Sequence, residues 1–519
     1  MARFRDYSYE QTLMVPVSLE RQIQPGTFEY ALNYLVDKHI DRSVFDERYS
    51  NDETGAPAID PAILLKVVLF AYSRGILSSR KIARACEENV VFMALAADTR
   101  PHFTTIAGFV SSTGEAIGTV FRDVLTICYS EGLIGKHMFA VDGCKISSNC
   151  AKEWSGTRAE LLKKAAKIHT AVEALLRRHR EEDKREILSP AREREEHKIA
   201  TLTKKANKIT EWLAENDDRM GRRGKPVKSN ITDNESAKMV SSHGVIQGYN
   251  GIATVDEKHQ IVVDAQAFGD GHEASHVKHV IDSIEATFRA IDSQEKIFDS
   301  LVLTADSGFH SEDAVRTALE SGVDAYIADN QFRKRDPRFA EQQKHKAKTT
   351  DRKRTSRARK YLGADEFVFN EAGTLICPDG KPMRSAGPQW RDKKKGYTGR
   401  SFRGYVEHCS SCKIRAKCLR NSASPARQVT KTDRGMRNNK KSAVQQMIER
   451  FDTERGRLYY SRRMATVEPV FANTRSTLGM DRFTLRGRRK VDAQWKLYCI
   501  VHNIGKLVRY GPSFATARS

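Results

Sequence analysis

The sequence Met138-Phe139-Ala140-Val141-Asp142-Gly143 is a short apolar run that ends in an aspartate. Residues 301–308 repeat this design and deliver Asp306, and residues 466–471 hold Glu468 among apolar residues at near-helical spacing. Apolar runs of this length are typical of buried strands, and ligands usually bind at the rim of a sheet where such strands end. Three carboxylates gathered at that rim repel one another unless they share cations. The sequence therefore predicts a cation-binding acidic cluster.

The composition indicates a polyanionic partner. The chain has 519 residues, enough for about two to four structural units, and its formal net charge is +22. Each phosphate that such a surface neutralises releases counterions, which favours nucleic acid over a merely solubilising role for the charge. No apolar stretch approaches the roughly 20 residues of a membrane span, and the first residues lack the apolar segment of a signal peptide. We expect a cytoplasmic protein.

The first part of the chain, residues 1–130, is predicted to be helical. Residues 63–70 are apolar nearly all round, which predicts a buried helix, and a second helix is expected from Ser78-Ser79 onwards. The second helix carries Arg80, Lys81 and Arg84 between its apolar positions. A basic second helix is typical of helix-turn-helix DNA-binding domains, although any small helical bundle gives a similar pattern.

A helical hairpin is predicted over 157–226. Two series of apolar residues recur at alternating spacings of three and four, which indicates one seam on each of two antiparallel helices. The series are Leu161, Ala165, Ile168, Val172 and Leu175, and then Ile199, Leu202, Ala206, Ile209 and Leu213. The remaining surface is strongly charged, as a protruding coiled coil requires. The hairpin is either a dimer contact or a spacer.

Residues 131–156 and 227–331 form the predicted first part of a mixed α/β core. The predicted elements are the strand of Asp142, strands over 245–255 and 260–267, a helix over 275–290, the strand ending at Asp306, a helix over 312–320 and a strand over 323–328. Ser311 is expected to cap the second helix. Alternation of strands and helices predicts an α/β sheet.

A basic insert with four cysteines is predicted over 332–441. Positions 331–360 hold 13 Lys or Arg residues against three acids, which favours a DNA-backbone track over a merely solvated segment. The candidate DNA-binding residues are Arg333, Lys334, Arg335, Arg352, Lys353 and Arg354. Further on, Cys377, Cys409, Cys412 and Cys418 have intervals that suit a structural zinc ion, and His408 is an alternative ligand. Free thiols in a reducing cell are the other interpretation.

In their order along the chain, these motifs resemble bacterial insertion-sequence transposases of the DDE class, in particular groups with a Tyr-Arg-Glu-Lys signature around the catalytic glutamate. The resemblance covers almost the whole chain. Its motifs are the helical start, Val141-Asp142-Gly143, Gln247-Gly248-Tyr249-Asn250, Ala305-Asp306-Ser307-Gly308, the cysteine-containing insert and Thr466-Val467-Glu468-Pro469-Val470-Phe471. Each motif is weak alone, and the shared order makes the match specific.

The resemblance implies a ribonuclease-H-like core in which Asp142, Asp306 and Glu468 are the catalytic, metal-binding triad, with Glu468 carried by the C-terminal helices of 442–519. The expected ligands are two Mg²⁺ or Mn²⁺ ions per site, which carboxylates suit. The implied activity is strand cleavage at the ends of an insertion sequence, followed by strand transfer. The expected partners are double-stranded terminal inverted repeats and target DNA. A homodimer is expected because two element ends must be held together.

The signature around Glu468 departs from the family pattern. Tyr460 and Arg463 have the expected gap, but four residues rather than three separate Arg463 from Glu468, and Arg475 stands where a lysine is expected. Tyr460, Arg463 and Arg475 are further candidate DNA-binding residues, and the positive charge kept at 475 suits a phosphate contact. The shift leaves open whether Arg462 or Arg463 has the family role. Two other functions stay open as well: a transposase-derived repressor without catalysis, and a nuclease of the same fold.

Overall fold

The computed structural model describes residues 17–49, 57–184, 192–221, 224–241, 244–339, 341, 361–391, 398–432 and 442–515. Its α-helices are α1 (Phe28–Lys38), α2 (Pro61–Ser73), α3 (Ser79–Glu88), α4 (Val90–Leu95), α5 (Phe103–Ser112), α6 (Gly114–Ser130), α7 (Arg158–Lys184), α8 (Arg192–Glu215), α9 (Val277–Ile291), α10 (Glu312–Glu320), α11 (Phe332–Arg335), α12 (Val406–Ser410), α13 (Arg415–Cys418), α14 (Ala443–Phe451), α15 (Glu454–Ala472), α16 (Arg488–Tyr510) and α17 (Pro512–Ala515). A short π-helical segment, Asn473–Thr477, follows α15.

The strands are β1 (Met138–Ser147), β2 (Ser155–Gly156), β3 (Ser229–Asn230), β4 (Ala237–Ser241), β5 (Gly244–Asp256), β6 (Val262–Phe268), β7 (Val302–Ala305), β8 (Asp324–Ile327), β9 (Val368–Phe369), β10 (Leu375–Ile376), β11 (Met383–Ser385), β12 (Trp390–Arg391), β13 (Thr398–Gly404) and β14 (Gln428–Thr432). The chain divides into two compact units. One combines Met1–Asp329 with Thr453–Ser519, and the other is Asn330–Asp452. The second unit contains the predicted insert 332–441 and also includes α14.

The first unit is built on a mixed six-stranded sheet, which confirms the predicted α/β class. Strand β1 pairs antiparallel with β5 on one side and parallel with β7 on the other, and β7 pairs parallel with β8. Strands β4 and β6 both pair antiparallel with β5. The predicted strands and helices around Asp306 are present, and Ser311 Oγ accepts a hydrogen bond from the Ala314 amide at 3.1 Å, as a helix cap does.

One detail of β1 differs from the prediction. The apolar run does not end the strand at Asp142, because β1 continues to Ser147 along its antiparallel partner β5. The neighbouring β7 does end at Ala305, which is opposite Val141. Asp142 therefore lies in the middle of a strand, at the point where the parallel neighbour stops. Pairing with β5 extends β1 beyond its apolar run. A pattern of hydrophobic residues alone does not predict such pairing.

Helix α16 joins the N-terminal helices to the sheet. It packs against β6 of the sheet and against α1, α2 and α6 of the N-terminal region. Trp495 Nε1 donates a hydrogen bond of 2.9 Å to the Ile252 carbonyl, and the Trp495 ring leaves only a glycine's room at Gly251. One turn further along α16, the ring of Tyr498 lies 5.0 Å from the ring of Tyr72 on α2. The region predicted as a separate domain, 1–130, therefore shares one packed unit with the sheet.

Helices α7 and α8 form the predicted antiparallel hairpin. At its base, Leu161 and Ala165 of α7 pack with Ile209 and Leu213 of α8. At the far end, Arg178 of α7 pairs with a glutamate near the start of α8. Within the described residues, no helix combines the length and the apolar character needed to cross a membrane.

A buried carboxyl group lies on β6 in this unit. Asp264 accepts hydrogen bonds from Ser283 Oγ at 2.6 Å and from Gln266 Nε2 at 3.1 Å. Burial nevertheless raises the pKa of Asp264 to about 6 from an ordinary value of 3.8. Because the folded chain then binds more protons than the unfolded chain at intermediate pH, this group lowers the stability as the pH rises towards and through 6.

We expect Asp264→Asn to gain stability over the wild type as the pH is raised from 5 to 7.5, because an amide carries no charge to bury. The gain in the free energy of unfolding over this range should be about 1 kcal/mol. Chemical denaturation at both pH values measures it. Asp282→Asn, an exposed change on α9 in an ion pair with Lys278, is the control and should show no such slope. If the free energy of unfolding changes with pH in the same way in Asp264→Asn and in the wild type, Asp264 does not have the raised pKa.

Candidate active site

The sheet brings Asp142 and Asp306 to adjacent strands at the same level. Val141 of β1 is the register partner of Ala305 of β7, so the two aspartates follow the last shared pair of a parallel ladder. Each carboxylate accepts a hydrogen bond of 2.8 Å from a nearby backbone amide. The Gly143 amide donates to Asp142, and the Gly308 amide donates to Asp306. The first two predicted acids thus belong to one site.

Burial raises the pKa of Asp142 above its ordinary value, and the negative charge of Asp306 acts in the same direction. The Arg463 guanidinium opposes both effects, since its Nη1 lies 2.9 Å from Asp142 Oδ2. A carboxylate in this position is therefore costly to ionise without a positive partner.

Arg463 reaches the site from α15. Its side chain is only 8% exposed, and the ring of Tyr460, one turn earlier, lies 5.5 Å from its guanidinium carbon. Residues 463, 467 and 470 make one buried face of α15, and this helix packs against β1 and β7. The neighbouring Arg462 is half-exposed and pairs with Glu257 at 3.3 Å. Between the two arginines, it is Arg463 that lies in the acidic site.

The third predicted acid, Glu468, lies on the same helix but has an exposed side chain. It stands five positions after Arg463, which turns it by about 140° around the axis of a regular helix. Since Arg463 faces Asp142, Glu468 cannot also face it with this helical phase. The structure therefore brings two of the three predicted acids together, and leaves Glu468 on a different side of the helix that borders them.

Sequence reasoning missed another carboxylate in this site, Glu273. It lies in a short 3-10 turn between β6 and α9, and its side chain is buried. Its Oε1 is 3.3 Å from Asn250 Nδ2 and 3.9 Å from Lys145 Nζ. Burial, and after it the charge of Asp306, raise the pKa of Glu273 to about 7. The sequence indicated Glu273 only indirectly, through the glycines Gly143 and Gly308 that closely follow the two aspartates.

The predicted DNA-binding residues have varied surroundings. Arg475 is exposed in the π-helical segment, and its positive charge opposes the rise that burial causes in the pKa of the Cys144 thiol. In the second unit, Arg335 pairs with Asp452 at 2.5 Å, and Arg333 stacks over the Phe332 and Phe339 rings. Lys334 is exposed on α11. Arg352, Lys353 and Arg354 lie outside the described residues.

The four predicted zinc ligands line one small cavity of about 30 Å³ in the second unit, together with His408. At Cys377 the chain makes a tight turn: the Gly380 amide donates to the Cys377 carbonyl at 2.8 Å, and the Lys381 amide donates to its Sγ at 3.4 Å. Burial raises the pKa of Cys418, and the neighbouring thiols raise it too, which reflects their proximity. His408 Nδ1 is buried without a hydrogen-bond partner in the described part of the chain.

Metal-binding geometry is not already formed. Within the described residues, no group of three or more His, Cys, Asp or Glu side chains is arranged so that it could hold a metal ion. This applies to the carboxylates of the first unit and to the thiols of the second. Both groups have the donor chemistry that a cation requires: hard oxygens in one case, and thiols around a small cavity in the other.

Two family models match this chain. A Transposase DDE domain matches residues 376–508, and a Transposase domain (DUF772) matches residues 17–112. The first includes the thiols, Arg463 and Glu468, and the second covers α1 to α5. Asp142 and Asp306 lie outside both segments, so their pairing is an independent structural observation. No curated protein sequence matches the chain.

The matches cover the helical start of the chain and its C-terminal part, in the order that the sequence predicted. Between them the sheet adds two paired aspartates. Over these two segments the chain is similar to transposases, which supports an insertion-sequence transposase of the DDE class.

Proposed function

We propose that this protein is a catalytically active transposase, which cleaves the ends of its insertion sequence and transfers the freed strand to target DNA in a metal-dependent reaction. The observation that carries the proposal is the pairing of Asp142 and Asp306 at the end of β7, with Arg463 against Asp142. The order β6-β5-β1-β7-β8, with three antiparallel strands and then two parallel ones, supports a ribonuclease-H-like core.

Asp142, Asp306 and Glu468 are the proposed holders of Mg²⁺ or Mn²⁺, two ions per site. Bound cations supply a strongly acidified water or 3′-hydroxyl and charge stabilisation for the leaving oxygen. The carboxylates themselves need a positive charge, because burial and mutual repulsion raise the pKa of Asp142. Glu468 requires a different helical phase from the one seen here.

The basic residues are proposed to hold DNA. Arg475 and Tyr460 flank the acidic site on and just after α15, and their polar groups suit phosphate contact. Helix α3, with Arg80, Lys81 and Arg84 exposed, is the proposed contact of the N-terminal helices. The basic residues of the second unit would add a non-specific, salt-dependent contribution. A homodimer on paired terminal repeats completes the proposal.

Replacing any proposed metal-binding acid should abolish cleavage while DNA binding persists. For Asp142→Asn, Asp306→Asn and Glu468→Gln we expect strand cleavage in Mg²⁺ to fall by about 100-fold or more, since each tenfold loss needs only about 1.4 kcal/mol. The measurement is single-turnover cleavage of a duplex carrying the terminal repeat, with a mobility shift in parallel. Asp313→Asn, an exposed change on α10, is the control.

The products separate the alternative functions. Joined products support transposition, whereas nicks without joining would indicate a nuclease of the same fold. DNA binding without either product in the wild type would indicate a repressor. Wild-type cleavage by a variant at one of the three acids would remove that residue from the site.

Arg463 is proposed to hold Asp142 ionised and in place until a cation binds. Arg463→Ala should lower the free energy of unfolding at pH 7.5 by about 3 kcal/mol, because it leaves a largely buried carboxylate unpaired. Arg463→Lys should lose less, since it keeps the charge. The half-exposed Arg462→Ala is the matched control and should stay within about 0.5 kcal/mol of wild type. Chemical denaturation tests this, and equal losses for the two alanine variants would contradict it.

We also propose that Cys377, Cys409, Cys412 and Cys418 hold a structural zinc ion in the second unit. The shared cavity and the amide donated to Cys377 Sγ support the proposal. His408, also in the cavity wall, is the alternative ligand. Zinc would stabilise a small unit whose apolar cluster has six buried members among the described residues.

Purified wild-type protein should contain about one zinc ion per chain. The double variant Cys409→Ser/Cys412→Ser should lose the metal and the heat stability of the second unit. Elemental analysis measures the zinc, and Cys150→Ser, a thiol change in the first unit, serves as the control. Wild-type protein without zinc, purified in the absence of chelators, would refute the proposal.

A further inference from the structure

Glu273 is wedged between the two aspartate motifs. It precedes α9, whose Phe288 ring packs 5.7 Å from Phe139 on one face of β1. Successive residues of a strand face opposite sides, so Gly143 shares the face of Phe139 while Asp142 shares the other with Arg463. Glu273 therefore approaches the site from the face opposite Arg463.

Two glycines make the room for this carboxylate. A Cβ atom added at Gly308 would lie 2.0 Å from Glu273 Oε2, and also 3.0 Å from Asp306 Oδ1. A Cβ atom added at Gly143 would lie 2.9 Å from Glu273 Oε1. Carbon and oxygen atoms that are not bonded do not approach this closely. The contacts therefore explain why glycine occupies positions 143 and 308, because any side chain there would displace Glu273.

The charges around Glu273 leave the site short of positive charge. Three carboxyl groups, those of Asp142, Asp306 and Glu273, are opposed by Arg463 and by Lys145, which is 3.9 Å from Glu273. The Asn250 side chain is fully buried, and its Oδ1 has no hydrogen-bond partner among the described residues.

We propose that Glu273 is a further metal-holding residue, which shares a divalent cation with Asp142 and Asp306. Its carboxylate is already adjacent to both aspartate motifs, and a cation supplies the charge that the described side chains lack. Asn250 then acts as a positioning residue, since its Nδ2 donates to Glu273 Oε1 at 3.3 Å. This proposal rests on the proposed function, because the cation is the one that the cleavage reaction uses.

Binding of Mn²⁺ to the full chain in the absence of DNA tests the proposal without a measurement of activity. The free Mn²⁺ concentration is followed by electron paramagnetic resonance during titration of the wild type, Glu273→Gln, Asp142→Asn/Asp306→Asn and Glu285→Gln. The last is an exposed change on α9 and should bind like the wild type. We expect Glu273→Gln to bind at least about tenfold more weakly, and the double variant not to bind.

Two outcomes are distinguishable. If Glu273→Gln binds Mn²⁺ like the wild type while the double aspartate variant does not bind, the role of Glu273 is refuted and the proposed function stands. If the wild type itself binds no Mn²⁺, the metal dependence of the proposed function fails, and the role of Glu273 fails with it.

A second pair of variants guards against a folding defect in Glu273→Gln. Gly308→Ala places a methyl group where the Glu273 carboxylate lies, so it should lower both the melting temperature and the Mn²⁺ affinity. Adding Glu273→Ala to Gly308→Ala removes the clash, and should restore much of the melting temperature but none of the affinity. If Gly308→Ala melts and binds like the wild type, Glu273 is not held between the glycines and the proposal is overturned.

Discussion

The repulsion among carboxylates at the end of β7 is the constraint on which the rest of this site depends. Asp142, Asp306 and Glu273 come from three separate segments of the chain, and burial makes the charges of Asp142 and Glu273 more expensive than they are in water. Arg463 is the main opposing charge, and it is itself buried, so neither partner of the Asp142 pair is readily removed alone. The packing of α15 on the sheet is therefore coupled to the ionisation of the acids beneath it.

This coupling gives the order of the chain a physical meaning. After β8 the chain leaves the first unit at Asp329 and returns at Thr453, immediately before α15. The helix that supplies Arg463 is thus the first element of the returning segment. Helix α16 then packs against both the sheet and the N-terminal helices, with Trp495 against Gly251 and Tyr498 against Tyr72. The chain can therefore leave the first unit for the long insertion before α15 without losing the site. After the insertion, α15 packs against the sheet, and α16 packs against both the sheet and the N-terminal helices.

Much of the sheet was predictable, because its signals are local. Apolar runs ending in Asp142 and Asp306 predict neighbouring buried strands, and alternating patterns predict the β5–β6 hairpin. Glu273 was not predictable in this way, since it lies in an irregular turn where no periodicity applies. Only its contacts with Gly143 and Gly308, far apart in sequence, reveal its position.

The side of α15 on which Glu468 lies was unpredictable for a related reason. Near-helical spacing predicts a helix, but the face that is buried depends on what the helix packs against. Arg463 faces the sheet because Asp142 is there to pair with it. A one-residue shift from the family spacing then moves Glu468 by about 100° around the axis.

The local structure of α15 bears on how Glu468 and Glu273 differ. Glu468 immediately precedes Pro469, which has no amide hydrogen to donate and cannot satisfy the carbonyl of Ala465. Gln260 Nε2 donates to that carbonyl instead, at 3.0 Å, and a π-helical segment follows within one turn. The helix is therefore held by fewer of its own hydrogen bonds where Glu468 lies, and a change of helical phase costs less there than in an uninterrupted helix. Glu273 needs no change of helical phase, because Gly143 and Gly308 leave room for its carboxylate beside the aspartate motifs. The two glutamates therefore differ in what metal binding requires: the carboxylates around Glu273 need only a local adjustment to hold an ion, whereas Glu468 becomes a ligand only if the end of α15 rearranges.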